Sequence, residues 1–235
     1  MTAKTTGKVL FITGASSGIG RATAMAAIAD GWQLGLMARR KDALIELRDT
    51  LGTDKVEIFA GDATQLDEQY SAVEQCIARF GRLDAAFANA GTGINIPGTE
   101  NGDPDEWERM LAINIHGVLW TAKATLPHLR KTKGHFLVTG SMAGRSYHKG
   151  SIYSSSKWFV RGFALNLAAE MDEWGGRCTE IAPGMVNTAF FDTPKPDKLM
   201  PEDIAASVMF ALNAPARANV REIFVMPTEG RDTPQ

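Results

Sequence analysis

The chain has 235 residues, of which 44 % are hydrophobic and 22 % are charged, and its formal net charge is -2 at pH 7. This length predicts a single domain over residues 1–235, and the near-neutral charge argues against binding to nucleic acid or to a membrane surface. Cys76 and Cys178 are too few for a disulfide framework, and the absence of CxxC or Cys/His clusters predicts no metal site. Without a membrane-length apolar run or a signal-peptide core, we expect a cytoplasmic protein.

Short apolar runs alternate with longer segments of helical periodicity along the chain. The runs suit buried strands and span 8–12, 32–37, 55–60, 83–88, 135–140, 177–182 and 221–226. The helical segments span 18–30, 40–51, 66–80, 105–130, 151–174 and 201–213. Strands that alternate with helices predict an α/β fold, in which a parallel sheet carries helices on both faces.

A glycine-rich loop, within VLFITGASSGIGRATA, separates the first predicted strand from the first predicted helix. It contains Gly14, Gly18 and Gly20. Glycines let a backbone approach a pyrophosphate, and a helix N-terminus offers free N–H groups and positive potential. The spacing is GxxxGxG rather than GxGxxG, so a plain turn is the alternative. The position between strand and helix favours a nucleotide site.

A second motif, SMAGRSYHKGSIYSSSK, places three reactive side chains in residues 141–157. Tyr153 and Lys157 are four positions apart and therefore lie one turn apart on the same face of a helix. Ser141 directly follows the fifth strand. A YxxxK spacing alone is a weak signal, but beside a nucleotide site a hydroxyl, a phenol and an ammonium indicate proton-transfer chemistry.

Five motifs together resemble the short-chain dehydrogenase/reductase family. They are TGASSGIG (13–20), NAG (89–91), NIHG (114–117), the Ser141/Tyr153/Lys157 trio and PGMVNT (183–188). The resemblance implies a Rossmann-like, doubly wound parallel sheet of seven strands, which matches the seven apolar runs. It also implies hydride transfer between a nicotinamide cofactor and a small carbonyl or alcohol substrate.

The resemblance assigns roles to four residues. Tyr153 would be the general acid in carbonyl reduction and the general base in alcohol oxidation. A free tyrosine has a pKa of about 10, so ionising it near neutral pH requires roughly 4 kcal/mol, which Lys157 and the positive nicotinamide ring would supply. Lys157 would also bind the nicotinamide ribose, Ser141 would hold the substrate oxygen, and Asn114 would position a water.

The resemblance also implies a cofactor-binding set. Asp62 would bind the adenine, with a plain turn role as the alternative, and Thr188 would bind the nicotinamide carboxamide beside the Val186 backbone. Asn89 and Gly91 would line the cofactor ribose or support the central sheet. The full set is Gly14, Ser16, Ser17, Gly18, Ile19, Gly20, Arg39, Arg40, Asp62, Ala63, Asn89, Ala90, Gly91, Tyr153, Lys157, Pro183, Gly184, Val186 and Thr188.

The end of the second strand indicates which nicotinamide cofactor is used. NAD-preferring proteins have an acidic residue there that binds the ribose 2′-hydroxyl. In this chain Ala38, Arg39 and Arg40 follow the strand instead. Because guanidinium groups pair well with phosphate, we predict NADP(H). The alternative is that the two arginines only solvate the start of a helix.

The substrate is less constrained. The C-terminal third is similar to the subgroup of NADP-dependent 3-hydroxy acid and serine dehydrogenases. However, the spacing from Ser141 to Tyr153 is one residue shorter than is most frequent in the family. The segment AFFDTPKPDKLM (189–200) looks short for a substrate lid, which should leave a more open pocket with room for bulkier ketones, and the sequence does not decide the substrate. His148 either contacts the substrate or is an exposed loop residue.

Assembly and one alternative function complete the expectations. Apolar stripes comprise Phe159, Phe163, Leu167 and Met171, then Val160, Ala164 and Ala168, then Leu111, Ile115 and Leu119. Since the stripes are broader than one core face needs, we predict a homodimer or homotetramer through helices 105–130 and 151–174, with core packing as the alternative.

A non-catalytic NADP-sensing regulator shares the fold but usually lacks the Tyr/Lys pair. A sugar-nucleotide epimerase or dehydratase normally needs a longer C-terminal domain.

Overall fold

Seven parallel strands form the centre of the molecule, described here from a computed structural model of residues 7–96 and 98–228. The strands are β1 (Val9–Thr13), β2 (Gln33–Ala38), β3 (Val56–Ala60), β4 (Ala85–Ala88), β5 (His135–Thr139), β6 (Arg177–Pro183) and β7 (Glu222–Val225). Their order across the sheet is β3-β2-β1-β4-β5-β6-β7, and every neighbouring pair is parallel. The predicted doubly wound sheet is confirmed. Both ends of the predicted domain (1–6 and 229–235), including the start of the chain where no signal peptide was expected, lie outside the described residues.

The helices fill the connections between the strands. They are α1 (Gly18–Ala29), α2 (Lys41–Leu51), α3 (Leu66–Phe80), α4 (Pro104–Leu111), α5 (Gly117–Thr132), α6 (Ile152–Asp172) and α7 (Pro201–Asn213). The predicted helix 105–130 is divided, because a π-helical segment (Ala112–His116) joins α4 to α5. A short 3-10 turn (Met142–Gly144) follows β5. Such π-helical insertions are frequent at functional sites.

Alternate residues of β1 face two different hydrophobic cores, because successive side chains of a strand point to opposite faces of the sheet. Phe11 packs in the core formed with α3, α5 and α6. Ile12 packs in the core formed with α1, α2 and α7. The sheet is therefore covered on both faces. Cys76 and Cys178 are free and buried, and burial raises the pKa of the Cys76 thiol to about 12.

Within the described ranges, no helix is both long enough and apolar enough to cross a membrane.

The winding of the sheet reverses between β1 and β4, which are neighbours although they are distant in the chain. In open α/β sheets a crevice forms at the carboxyl ends of the strands at such a reversal, and ligands bind there. The loops that follow β1, β4 and β5 meet at this edge.

Candidate active site

Asn89 joins the three strands that end at the crevice. Its side-chain Nδ2 donates to the backbone oxygens of Thr13 (3.2 Å) and Gly14 (3.3 Å), which end β1. Its Oδ1 accepts a hydrogen bond from the Thr139 hydroxyl at the end of β5 (3.1 Å). Support of the central sheet is one of the two roles expected for this residue, and these contacts are of that kind.

The glycine loop packs too tightly for side chains at two of its three predicted glycines. A Cβ on Gly14 would lie 2.8 Å from the Cα of Ala90, and Gly14 has a φ of +67°. A Cβ on Gly20 would overlap the backbone oxygen of Gly14. These glycines therefore serve the contact between the loop, α1 and the segment after β4. Gly18, which begins α1, faces Thr188 across the crevice, where its Cβ would lie 3.1 Å from Thr188 Cγ2.

The N-terminus of α1 keeps its backbone donors available. Ser17 is the N-cap residue, and its side chain makes no capping hydrogen bond with any described residue. The first N–H groups of a helix otherwise need a partner, and an anionic phosphate is a favourable one. The loop and this helix end together fit a dinucleotide pyrophosphate.

One of the two predicted phosphate-binding arginines contacts the glycine loop. Arg40 Nη2 donates to the Ser16 backbone oxygen (3.1 Å) and lies 3.3 Å from the Ser16 hydroxyl. Arg39 is exposed at the end of β2. Asp62 forms a turn, since its Oδ1 accepts a hydrogen bond from the Thr64 N–H (2.9 Å). That contact corresponds to the alternative left open for Asp62 and does not exclude a ligand.

The predicted trio of hydroxyl, phenol and ammonium meets at the start of α6. Lys157 Nζ lies 5.8 Å from the centre of the Tyr153 ring and donates to the Thr139 backbone oxygen (2.9 Å). Ser141 begins the 3-10 turn after β5 and hydrogen-bonds the Tyr153 side chain. The helix aligns two of the groups, and the turn brings the third to them.

Burial is the largest influence on the pKa values of Tyr153 and Lys157 in the protein without cofactor. Burial raises the pKa of Tyr153 to about 12, although the hydrogen bond with Ser141 lowers it. Burial lowers the pKa of Lys157 to about 8, although Glu180 raises it. The expectation that Lys157 and the nicotinamide ring together move the phenol pKa towards neutral concerns the cofactor-bound protein and stays a prediction. Burial outweighs other effects, and the ammonium donates to Thr139 rather than to the phenol oxygen.

Asn114 lies in the π-helical segment and is buried. Its Oδ1 accepts from the Thr92 N–H (2.9 Å), and its Nδ2 donates to the Thr92 backbone oxygen (3.0 Å) and the Ser156 hydroxyl (3.2 Å). Gly91 lies between this amide and Lys157, because its Cβ would be 3.1 Å from Asn114 Oδ1 and 3.9 Å from Lys157 Nζ. The amide therefore links the loop after β4 to α6.

Phe190 is a residue of the site that the sequence-based predictions missed. The ring of Phe190 lies 5.7 Å from the ring of Tyr153 and meets Gly93, whose Cβ would be 2.9 Å from Phe190 Cζ. This short segment therefore folds back over the phenol, and the acceptance of bulkier ketones stays a prediction. The signal was the aromatic pair that follows PGMVNT. His148 is exposed and contacts the Ser146 hydroxyl (3.1 Å), as expected for a loop residue.

No group of three or more His, Cys, Asp and Glu side chains in the described part of the chain is arranged to hold a metal ion.

Comparison with known proteins gives relatives that are oxidoreductases by name or family. The model of the family described as short chain dehydrogenase matches residues 8–198. A protein of Staphylococcus aureus (strain MRSA252) named as an uncharacterized oxidoreductase is 37 % identical over 227 residues, which cover 94 % of this chain and 98 % of the relative.

Two solved structures are similar over nearly the whole chain. An alcohol dehydrogenase from Thermococcus sibiricus complexed with 5-hydroxy-NADP has a TM-score of 0.87 and 33 % identity, covering 95 % of this chain and 98 % of that one. The serine dehydrogenase of Escherichia coli has a TM-score of 0.85 and 28 % identity, covering 93 % and 97 %.

A doubly wound sheet with a glycine loop at its reversal point defines a dinucleotide-binding α/β protein. The chain belongs to the short-chain dehydrogenase/reductase family and is an oxidoreductase of that family.

Proposed function

We propose that the chain, as one domain over residues 1–235, transfers hydride between NADP(H) and a small carbonyl or alcohol substrate. The observation that carries this proposal is the meeting of Tyr153, Ser141 and Lys157 at the carboxyl edge of the sheet, beside the glycine loop. A phenol with a hydrogen-bonded hydroxyl and a neighbouring ammonium is an arrangement for moving a proton to or from a substrate oxygen.

The residues present fit the cofactor. The N–H groups at the start of α1 suit the pyrophosphate, and Gly20 lets α1 lie close to the loop at Gly14. Arg39 and Arg40 stand where an acidic residue would favour NAD, and Arg40 lies against the loop at Ser16. The similar alcohol dehydrogenase complexed with 5-hydroxy-NADP, and a serine dehydrogenase at 26 % identity complexed with NADP+, support NADP(H).

A nicotinamide held beside the glycine loop would supply hydride chemistry at the carbonyl or alcohol carbon. In reduction, Tyr153 gives its phenolic proton to the carbonyl oxygen, and the Ser141 hydroxyl holds that oxygen. A phenol pKa of about 12 keeps Tyr153 protonated at neutral pH, as a proton donor must be. In oxidation the same phenol must first lose its proton, so we expect the oxidation rate to increase at alkaline pH. Asn114 positions the water that returns protons towards Lys157.

The test is a panel of ketones, aldehydes and hydroxy acids, measured by the change in NADPH absorbance, with NADH in parallel. We expect turnover of at least one carbonyl class with NADPH and little with NADH. Tight NADPH binding without turnover of any class would contradict the proposal and would favour a regulatory, NADP-sensing protein. Chelation of metal ions should leave turnover unchanged.

A further inference from the structure

Glu180 is a carboxylate buried in β6, with 2 % of its surface exposed. It lies two positions from Cys178 and so shares the sheet face that packs against α6. Its Oε2 accepts from Arg145 Nη2 at 2.8 Å. Its Oε1 is also buried and has no hydrogen-bond partner among the described residues. An unpartnered buried carboxylate oxygen is costly and calls for a physical explanation.

The unpartnered oxygen occupies the space that a side chain at position 140 would fill. A Cβ on Gly140 would overlap Glu180 Oε1. Gly140 stands between Thr139, whose backbone oxygen accepts the ammonium of Lys157, and Ser141. The carboxyl group of Glu180 therefore lies directly behind the short segment that holds both groups.

Arg145 connects this carboxylate to the Ser141 turn. It ends the 3-10 turn that Ser141 begins, its Nη1 lies 2.5 Å from Glu222 Oε1, and its guanidinium lies 5.2 Å from the Phe224 ring. The charged and titratable groups that face Glu180 are Arg145, Glu222 on β7, Arg161 and Lys157 on α6, and the Cys178 thiol on its own strand. Burial raises the pKa of Glu180 to about 7; Arg145 opposes that rise, and the neighbouring Glu222 adds to it. The carboxyl group is therefore mainly ionised only above neutral pH.

We propose that Glu180 is a positioning residue for the reaction: its buried carboxylate favours the charged form of Lys157 and, through Arg145, holds the Ser141 turn in place. Opposite charges within several ångströms favour each other's ionised forms, most strongly where water is excluded. The empty side-chain position of Gly140 is what lets the carboxylate approach. The proposal rests on the proposed catalytic role of Lys157.

The test measures the pKa of Lys157 directly, by NMR titration of protein labelled at the lysine ε-carbons, with Lys157→Met to assign the signal. Glu180→Gln keeps the side-chain volume and removes the charge, so we expect the pKa of Lys157 to fall by about one unit. Glu180→Asp keeps the charge and should restore most of the wild-type value. The matched control is Glu222→Gln, which removes the other carboxylate from the same Arg145 and should shift Lys157 by less than half as much.

An unchanged Lys157 titration in Glu180→Gln would overturn the proposal, as would an equal shift in Glu222→Gln. If Glu180→Gln does not fold, Gly140→Ala displaces the carboxylate while keeping every charge, and the same fall in the Lys157 pKa is expected. The titration of Lys157 needs no turnover. Absence of activity in the wild-type protein would therefore contradict the proposed function, whereas the effect of Glu180 on the pKa of Lys157 could still be measured. In an active enzyme, the pH profile of oxidation should shift in Glu180→Gln and not in Glu222→Gln.

Discussion

The ring of Phe190 is tilted by 59° against the ring of Tyr153, with the two ring centres 5.7 Å apart. Phe191 packs edge-on against Phe190 at 5.1 Å. Phe190 is 42 % exposed and reaches Gly93 on the other side of the crevice. The ring therefore narrows the path by which a substrate carbonyl approaches the phenol.

Replacing Phe190 with alanine should widen the substrate pocket. We expect kcat/KM for a bulky ketone to rise relative to that for a small ketone by roughly tenfold, since pocket contacts of this size discriminate by about 1–3 kcal/mol. Steady-state kinetics with the two ketones measure the ratio. Phe210→Ala, at an exposed position on α7, is the control. An unchanged ratio in Phe190→Ala would show that the ring does not shape the pocket.

Removing the phenolic hydroxyl should abolish proton transfer but not cofactor binding. We expect Tyr153→Phe to lose roughly 10²–10⁴-fold in kcat, the usual contribution of a general acid–base group. The dissociation constant for NADPH, followed by fluorescence, should stay nearly the same. Tyr147→Phe, at an exposed position in the same loop region, should retain wild-type kcat. Residual activity above about a tenth of wild type would remove Tyr153 from its proposed role.

Cofactor preference should depend on the arginines after β2. A hydrogen bond to a charged group contributes roughly 1.5–3 kcal/mol, so Arg39→Ala with Arg40→Ala should weaken NADPH binding by about tenfold to a hundredfold. NADH has no 2′-phosphate, so its dissociation constant should barely change. The NADPH effect should diminish at high salt because ions screen the contact.

The control for this pair is Arg48→Ala, in the last turn of α2. Arg40 also holds the glycine loop through Ser16. An equal loss of NADH and NADPH affinity would therefore mean that the substitution disturbed the loop and that the arginines do not select NADP.

The buried His135 should make the fold sensitive to acid. Its Nε2 lies 2.7 Å from the Thr179 hydroxyl, which in turn donates to the Val220 backbone oxygen, and burial lowers the His135 pKa to about 3. The unfolded state, with an ordinary histidine pKa of about 6.5, binds more protons between these two values. Folding stability is therefore fully present above about pH 6.5 and falls as the pH decreases towards 3.

Between about pH 7 and about pH 5, His135 alone should account for a loss of about 2 kcal/mol in the free energy of unfolding. Urea denaturation at the two pH values measures it. His135→Gln should lose less stability over this interval than wild type, whereas His148→Gln, at an exposed position, should match wild type. Equal acid sensitivity of wild type and His135→Gln would contradict the assignment.

We propose that the protein forms a homodimer or homotetramer, as the apolar stripes predicted. On α6, the stripe residues buried in the core, and therefore in the alternative role, are Leu167, Met171, Val160, Ala164 and Ala168. Trp158 and Leu165 lie two turns apart on the outer face and remain 46 % and 47 % exposed. These exposed apolar side chains would be covered by a second copy of the chain, whereas the core-facing residues are already buried.

Light scattering at micromolar concentration should therefore give a mass at least twice that of the 25.4 kDa chain. Leu165→Asp should shift the population towards the monomer, because a charge would be buried at the contact. Met25→Asp, at an exposed position on α1, should leave the assembly unchanged. A monomeric wild-type protein would reject the proposal.

The sequence by itself determined the features that depend on local spacing. Short-range patterns predict the glycine loop after β1 and the one-turn separation of Tyr153 and Lys157. They also predict every strand boundary to within two residues. Helical periodicity, buried apolar runs and glycine positions are read within a few residues, so a single chain carries them completely.

Only the tertiary structure decided how these elements act on one another. The rise of the Tyr153 pKa depends on burial by distant segments. The ring of Phe190 reaches Tyr153 because the chain folds back after β6. Glu180, on β6, occupies the space that Gly140 leaves at the end of the neighbouring β5. The π-helical segment around Asn114 interrupts the predicted helix 105–130 and also escaped prediction. Burial and long-range contact set electrostatics, and neither is encoded in the spacing of neighbouring residues.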